Sequence, residues 1–244
     1  MKTVTHIAAL TTVLLIGSAT LAGPASQAGA KEMSGIAWTA SPADKAGEAP
    51  TIVFDYDDGS TSFSLDDETG LTEVRSALAV AGGTAFTIVR EPGTIACRGT
   101  AEASYDGRGT CAFTPDESFK ADLRVRNLSP RDRGELLAMT LLGADRALID
   151  GLIRAGVAPE SAEDVIAAAA LEVTPEYVAG LKSAGLDLRT IEDAVACRAV
   201  EVDAAYVRAL ADAGYRPDAE RVVAMKAVGV TPEYARRMNA AAQN

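Results

Sequence analysis

One tyrosine position, once replaced by leucine, returns through the second half of the chain at an almost constant interval. Leu148, Tyr177, Tyr206 and Tyr234 form this column, at steps of 29, 29 and 28. Gly156, Gly185 and Gly214 keep steps of 29, and two further columns hold the same register: Asp132, Ser161, Thr190 and Asp218, and Met139, Ala168, Cys197 and Met225. A period of this length marks a supersecondary unit used several times, because one such unit is too small to bury its own apolar face. Whatever this half folds into must therefore set similar units side by side.

The residues within each unit are helix punctuation. Ser161 and Thr190 can accept from an unpaired first-turn amide, with Asp164 or Asp193 at the third helical position; Asp132 followed by Glu135 is the cleaner version. Such a cap is typically worth about 1 kcal/mol. A second helix opens at Thr174-Pro175-Glu176 and again at Thr231-Pro232-Glu233, where proline loses no partner for its missing N–H and glutamate meets the positive end of the helix dipole. It closes at Gly156, Gly185 or Gly214, residues able to take the left-handed conformation. Tyr177, Val178 and Leu181, or Ile191, Ala194 and Val195, share one face.

These signals predict a short α-solenoid of four helix pairs over 132–155, 161–184, 190–213 and 218–241, within a helical repeat domain of 132–244. Tyr177, Tyr206 and Tyr234 are its expected packing knobs, and Gly156, Gly185 and Gly214 its helix stops. A half-unit over 114–131 is expected to cap the stack: Thr114-Pro115-Asp116 opens it, and Asn127 and Leu128 fall one period before Gly156 and Val157.

The first half has a different composition. Residues 33–113 hold Trp38, most of the phenylalanines and the Asp-Gly turn signals, whereas 132–244 is rich in Ala, Val, Leu, Glu and Arg. TIVFDYDDGSTSFSL (51–65) alternates on both sides of Asp58-Gly59, a strong hairpin signal. TAFTIVR, GTIACR, TAEAS and GTCAF supply further strands, the last two joined across YDGRG, and residues 35–40 can add one more. LTEVRSALAVA (71–81) reads as a helix crossing the sheet, with Gly82-Gly83 as its stop. The expected fold is α+β in two domains: a flexible segment 31–50, a small antiparallel β-rich domain 51–113, and the solenoid.

The opening segment, 1–30, reads as a cleaved secretory signal, with an apolar run from Ile7 to Leu21 and cleavage after Ala22 or Ala30. Pro24 stands where a lipoprotein signal would carry cysteine. Export to the periplasm or beyond is therefore expected, with no membrane span after cleavage. Residues 31–244 keep 22 basic and 34 acidic side chains, a formal charge of 22 minus 34, or -12. That charge disfavours nucleic acid and anionic lipid surfaces as partners. In an oxidising compartment Cys97 and Cys111, on strands a hairpin would bring together, are expected to form a disulfide, worth about 3 kcal/mol for a loop of roughly 15 residues. Cys197 is left over; its column mates Met139, Ala168 and Met225 read it as a core residue, against the alternative of a reactive thiol.

The only histidine is His6, inside the signal. Triad chemistry and His-ligated zinc are thereby removed from what residues 31–244 can do. Asp55, Asp57 and Asp58 superficially resemble a calcium loop, but glycine falls fifth and the twelfth position is Asp66, so the EF-hand pattern is broken. Asp66 with Glu68 reads as loop acids sooner than a glycosidase pair. No catalytic, cofactor or metal residue is assigned.

VTPEY at 173–177, GVTPEY at 229–234 and the Ala-Gly helix ends at 155, 184 and 213 resemble the helix-pair repeats, roughly 28 residues long, of exported bacterial proteins, similar to repeats appended to membrane metallopeptidases of the beta-lactam-sensor type. DYDDGSTSFSLDDETGLT and EPGTIACRGTAEASYDGRGTCAFTPD resemble the small domain that accompanies them, so the likeness spans most of 51–244. It implies architecture. The chain has no HExxH, and no peptidase residue is carried over. The functional expectation is an exported protein-interaction module with a protein partner, its role sensory or regulatory in the envelope. The alternative is a small-ligand or envelope-polymer binder using the β domain around Trp38 and Tyr56, and an enzyme is disfavoured.

Overall fold

The computed structural model describes residues 33–57, 59–66, 71–216 and 218–242; the expected signal segment, Asp58 and Glu68 lie outside the described residues. Among them are one six-stranded antiparallel sheet and ten helices, an α+β structure. The strands are β1 (Met33–Ser41), β2 (Thr51–Tyr56), β3 (Gly59–Ser64), β4 (Gly82–Arg90), β5 (Gly93–Ala103) and β6 (Asp106–Pro115), in the spatial order β3-β2-β1-β6-β5-β4. Helix α1 (Thr72–Leu78) connects one edge strand, β3, to the other, β4.

Three expectations change in the sheet and its crossing helix. The segment 31–50, expected to be flexible, contributes β1 to the middle of the sheet, paired on one side with β2 and on the other with β6. It does so because Ile36, Trp38 and Ala40 alternate with exposed Ala37 and Thr39 and bury one complete strand face. GTIACR and TAEAS fuse into the single strand β5, and the hairpin turn is Ser104-Tyr105, with Ala103 opposite Asp106 and Tyr105 left-handed at φ 58°. Gly82-Gly83 does not stop α1. Those residues open β4 opposite Ala101 and Thr100, and the helix end is met by distant donors instead: the Tyr105 amide reaches the Leu78 carbonyl at 2.8 Å and the Thr84 hydroxyl the Ala77 carbonyl at 2.9 Å.

A glycine pair explains the position of the tryptophan. Trp38 faces Gly109 across β1 and β6, and Gly109 faces Gly99 across β6 and β5. A Cβ on Gly109 would stand 2.5 Å from the Trp38 Nε1, and one on Gly99 2.6 Å from Cζ2, so the indole lies flat over two strands that carry no side chain there. Its N–H donates to the Arg98 carbonyl at 3.3 Å, and Phe86 meets it edge-on at 5.4 Å between ring centres.

After β6 come α2 (Glu117–Val125), α3 (Arg133–Leu142), α4 (Arg146–Arg154), α5 (Ala162–Ala170), α6 (Pro175–Ser183), α7 (Ile191–Ala199), α8 (Ala204–Asp212), α9 (Ala219–Ala227) and α10 (Pro232–Ala242). The side chains of Asp116, Asp132, Asp145, Ser161, Thr174, Thr190, Asp203 and Asp218 each accept from an amide of the first turn. Ser161–Asp164 and Thr190–Asp193 are complete capping boxes. The cap of α2 is Asp116 and not Thr114, because Thr114 and Pro115 still belong to β6, paired with Thr94 and Gly93. Hydrogen bonds from the Ser118 hydroxyl and the Phe119 amide hold the Asp116 carboxyl below its usual range.

The helix ends obey one rule. Gly156, Gly185 and Gly214 have φ of +75°, +97° and +87°, and the amide that follows each reaches back into the last turn: Val157 to the Leu152 carbonyl, Leu186 to Leu181 and Tyr215 to Leu210, at 3.1, 3.1 and 2.9 Å. Asn127, φ 61°, closes α2 in the same way through Leu128 and Leu123. Between them, α3, α5, α7 and α9 end at Gly143, Glu172, Glu201 and Gly229, with φ of 72°, 53°, 57° and 74°. Their returning bonds run to Met139, Ala168, Cys197 and Met225, the fourth sequence column.

Helix α3 lies against β3, β4, β5 and β6, then α5 against α3, α7 against α5 and α9 against α7; α6, α8 and α10 follow α4 in a second row. One apolar core runs from Ile36 through the sheet and α1–α4 to Val165, and a second from Leu152 to Ala235. The sheet and the first helices therefore share their interior.

The left-handed closures make opposite predictions at two sites. No heavy atom lies within 4 Å of a Cβ built on Gly185, so Gly185→Val costs stability through the backbone alone, about 1–2 kcal/mol. Glu201→Gly relieves the same strain and gains about 1 kcal/mol. Thermal melts of the two variants should move in opposite directions.

Candidate functional site

The described helices meet through repeated polar contacts as well as apolar ones. The Tyr177 hydroxyl donates to the Val202 carbonyl and the Tyr206 hydroxyl to the Val230 carbonyl, both at 2.8 Å. Each carbonyl belongs to the residue just after a left-handed closure, so a side chain on α6 or α8 seals the turn following α7 or α9. The Arg198 guanidinium stands 5.3 Å from the Tyr177 ring centre and the Lys226 ammonium 4.9 Å from that of Tyr206. Burial raises the pKa of both phenols, which stay protonated donors. Tyr234 is placed differently from the other two expected knobs: it is 47 % exposed, with Arg237 5.8 Å from its ring centre.

A second set of contacts has no uniform mark in the sequence. Arg198 on α7 donates through Nε to the Leu171 carbonyl at the end of α5, 2.9 Å away, and pairs with Glu172 at 3.2 Å. Lys182 on α6 reaches the Ala155 and Gly156 carbonyls beyond α4 at 2.7 and 3.1 Å, and Asn239 on α10 reaches Ala213 beyond α8 at 3.0 Å. Donors thus sit on the negative ends of neighbouring helices. Lys182 and Asn239 lie two periods apart; that spacing is the available signal, hidden because the residue types differ.

Where leucine replaces tyrosine the surface opens. Leu148 has no hydroxyl to donate, and it borders a groove of about 670 Å³ between α4 and α6 with Ala147, Gly151, Ala155 and Ala179 along it and Arg154 and Glu176 at its sides. Gly151 is required there: a Cβ on it would stand 2.3 Å from the Pro175 Cγ. A second depression of about 620 Å³ is more polar, with Glu172, Glu201 and Asp203 facing Arg198 and Lys226.

An ion-pair cluster joins the sheet to the helices. Arg146 of α4 meets Glu91, in the β4–β5 turn, at 3.0 Å and Asp122 of α2 at 3.3 Å, and stands 5.0 Å from the Phe119 ring centre. Arg126 pairs with Asp122 at 2.9 Å and with Asp150.

The expected cysteine pair is bonded. Cys97 and Cys111 oppose one another on β5 and β6 with Cα atoms 4.0 Å apart and sulfurs at 1.99 Å. Cys197 is fully buried in the second core, and burial pushes its thiol up to about 11. Trp38, a candidate for ligand binding, is 1 % exposed and presents no surface to a ligand; Tyr56 is half-buried and shares a hydrogen bond with Thr61 at 3.1 Å. Asp55 and Asp57 are exposed, and among the described residues no three His, Cys, Asp or Glu side chains gather as a metal site. No described helix is long and apolar enough to cross a membrane.

Comparison of the chain with protein-family models, curated proteins and solved structures finds no match.

The tyrosine contacts give a graded test. Tyr206→Phe and Tyr177→Phe each remove one hydrogen bond to a carbonyl and should lower stability by about 1 kcal/mol. Tyr234→Phe should leave the melting temperature unchanged, since its ring already stands at the surface.

Proposed function

We propose that the chain is an exported protein-interaction module, periplasmic or secreted, in which a disulfide-bearing β domain anchors an α-solenoid of four helix pairs and the solenoid surface binds a protein partner. An envelope sensing or regulatory role is the form this takes. The observation that carries the reading is that contacts between helices recur in the register of the sequence columns: Tyr177 and Tyr206, one period apart, donate to the carbonyls after two equivalent closures, and Lys182 and Asn239, two periods apart, donate to carbonyls at two equivalent helix ends. Such construction uses its side chains to hold helices in line, and what it generates is extended surface. The groove between α4 and α6, lined by small residues and flanked by one cation and one anion, is a shape suited to a protruding element of another protein. The disulfide supports the oxidising compartment that the signal-like N-terminus implies.

A photo-crosslinking residue placed at Ala147 or Ala179, both exposed on the groove, should capture a discrete protein in the producing cell. The same group at Thr87, on the open face of the sheet, is the control. Capture from Thr87 with none from the groove would contradict the reading.

A further inference from the structure

At the far end of the helices, positions that are covered everywhere else lose their cover together. Leu123, Leu152, Leu181 and Leu210 are each 0 % exposed, but Met238, next in that column, is 48 % exposed. Tyr206 is 9 % exposed and Tyr234 47 %. Leu171 and Val200 pack on the second core, whereas Val228, one step further, is 78 % exposed. The helices that carry Leu152, Leu181 and Leu210 each pack against the next helix of their row, and the Tyr206 hydroxyl meets the Val230 carbonyl in the turn after α9; beyond α10 no described helix follows.

Charge separates in the same place. Positions 214–244 carry five basic side chains (Arg216, Arg221, Lys226, Arg236, Arg237) and three acidic ones (Asp218, Glu220, Glu233), 5 minus 3 or a net of +2. Positions 1–213 hold the other 18 basic and 31 acidic side chains, 18 minus 31 or -13. Arg216, Arg221, Arg236 and Arg237 are all exposed. Arg216 and Arg221 line a depression of about 460 Å³ floored by Ala224 and Met225, and Arg237 stands beside the exposed Tyr234 ring.

We infer that the α9–α10 end face is a docking site for an acidic amphipathic α-helix of a partner protein, seated where a following helix would lie. The internal junctions supply the shape: a helix covers the Leu210-type position, and a carbonyl at a helix end accepts the Tyr206-type hydroxyl. The cationic rim supplies the sign. A second copy of this chain is the less favoured occupant, because pairing two such end faces sets their arginines against one another. This inference rests on the interaction-module reading and adds the location and chemistry of one contact.

Two synthetic helical peptides of about 20 residues, each with leucines at i, i+3, i+4 and i+7 and either glutamate or lysine on the remaining face, serve as probes. Anisotropy titration with the exported chain should show the glutamate peptide binding at least about tenfold tighter than the lysine peptide, with the advantage lost at high salt. Met238→Glu should weaken it at least about tenfold, and the double variant Arg236→Glu, Arg237→Glu should reverse the preference. Both variants lie on exposed positions, and melting curves verify that they remain folded. Equal binding of the two peptides, indifference to Met238→Glu, or concentration-dependent dimerisation that Met238→Glu abolishes would each overturn the inference. Groove crosslinks from Ala147 that persist in the Met238→Glu chain would show that the wider module reading survives such a failure.

Discussion

The helices here are seven to eleven residues long, shorter than the roughly 12–15 at which an isolated helix begins to hold in water. Everything in the second half follows from that shortness. Each helix must be started and stopped within a few turns, hence a side-chain cap at nearly every beginning and a left-handed residue at nearly every end. Each must also bury one face on its neighbours, which is why Leu152, Leu181 and Leu210 are completely enclosed. Because a short helix leaves a large share of its carbonyls without partners inside it, the donors Arg198, Lys182 and Asn239 reach across from the next helix.

The sheet solves a different problem. One face carries the core and the other is open, so six strands must be held against α1 and α3 by residues from one side alone. Trp38 reaches across β6 to β5 over the glycine pair, the disulfide ties the same two strands slightly further along, and Phe54, Ile95 and Phe113 complete the layer. The helices begin from this layer, and the shared core down to Val165 makes the sheet the foundation of α3, α4 and the start of α5.

Much of this is legible in the sequence. The caps at Asp132, Ser161 and Thr190 and the stops at Gly156, Gly185 and Gly214 can be read because serine, threonine, aspartate and glycine carry conformational meaning of their own. The closures at Glu172 and Glu201 cannot, since glutamate has no preference for the left-handed region and is held there by the returning bonds around it. Strand β1 is hard to weigh because a tryptophan among small residues looks like a ligand platform until Gly99 and Gly109, far away in sequence, are brought beneath it. Tyr234 shares its sequence column with Tyr206 and differs in what lies next to it, which no column can reveal.

Helices whose contacts recur at one period should tolerate the loss of a whole period. Excising Thr174 to Val202 removes one full period, joins Val173 to Asp203 and leaves one capping residue where another stood. Calorimetry and circular dichroism of that shortened chain test the account most directly. A cooperative melt at lower temperature, with helix content reduced in proportion to the deletion, is the result expected. A chain that no longer folds would contradict it, since helices bound to one irregular core cannot lose two of their number and close the gap.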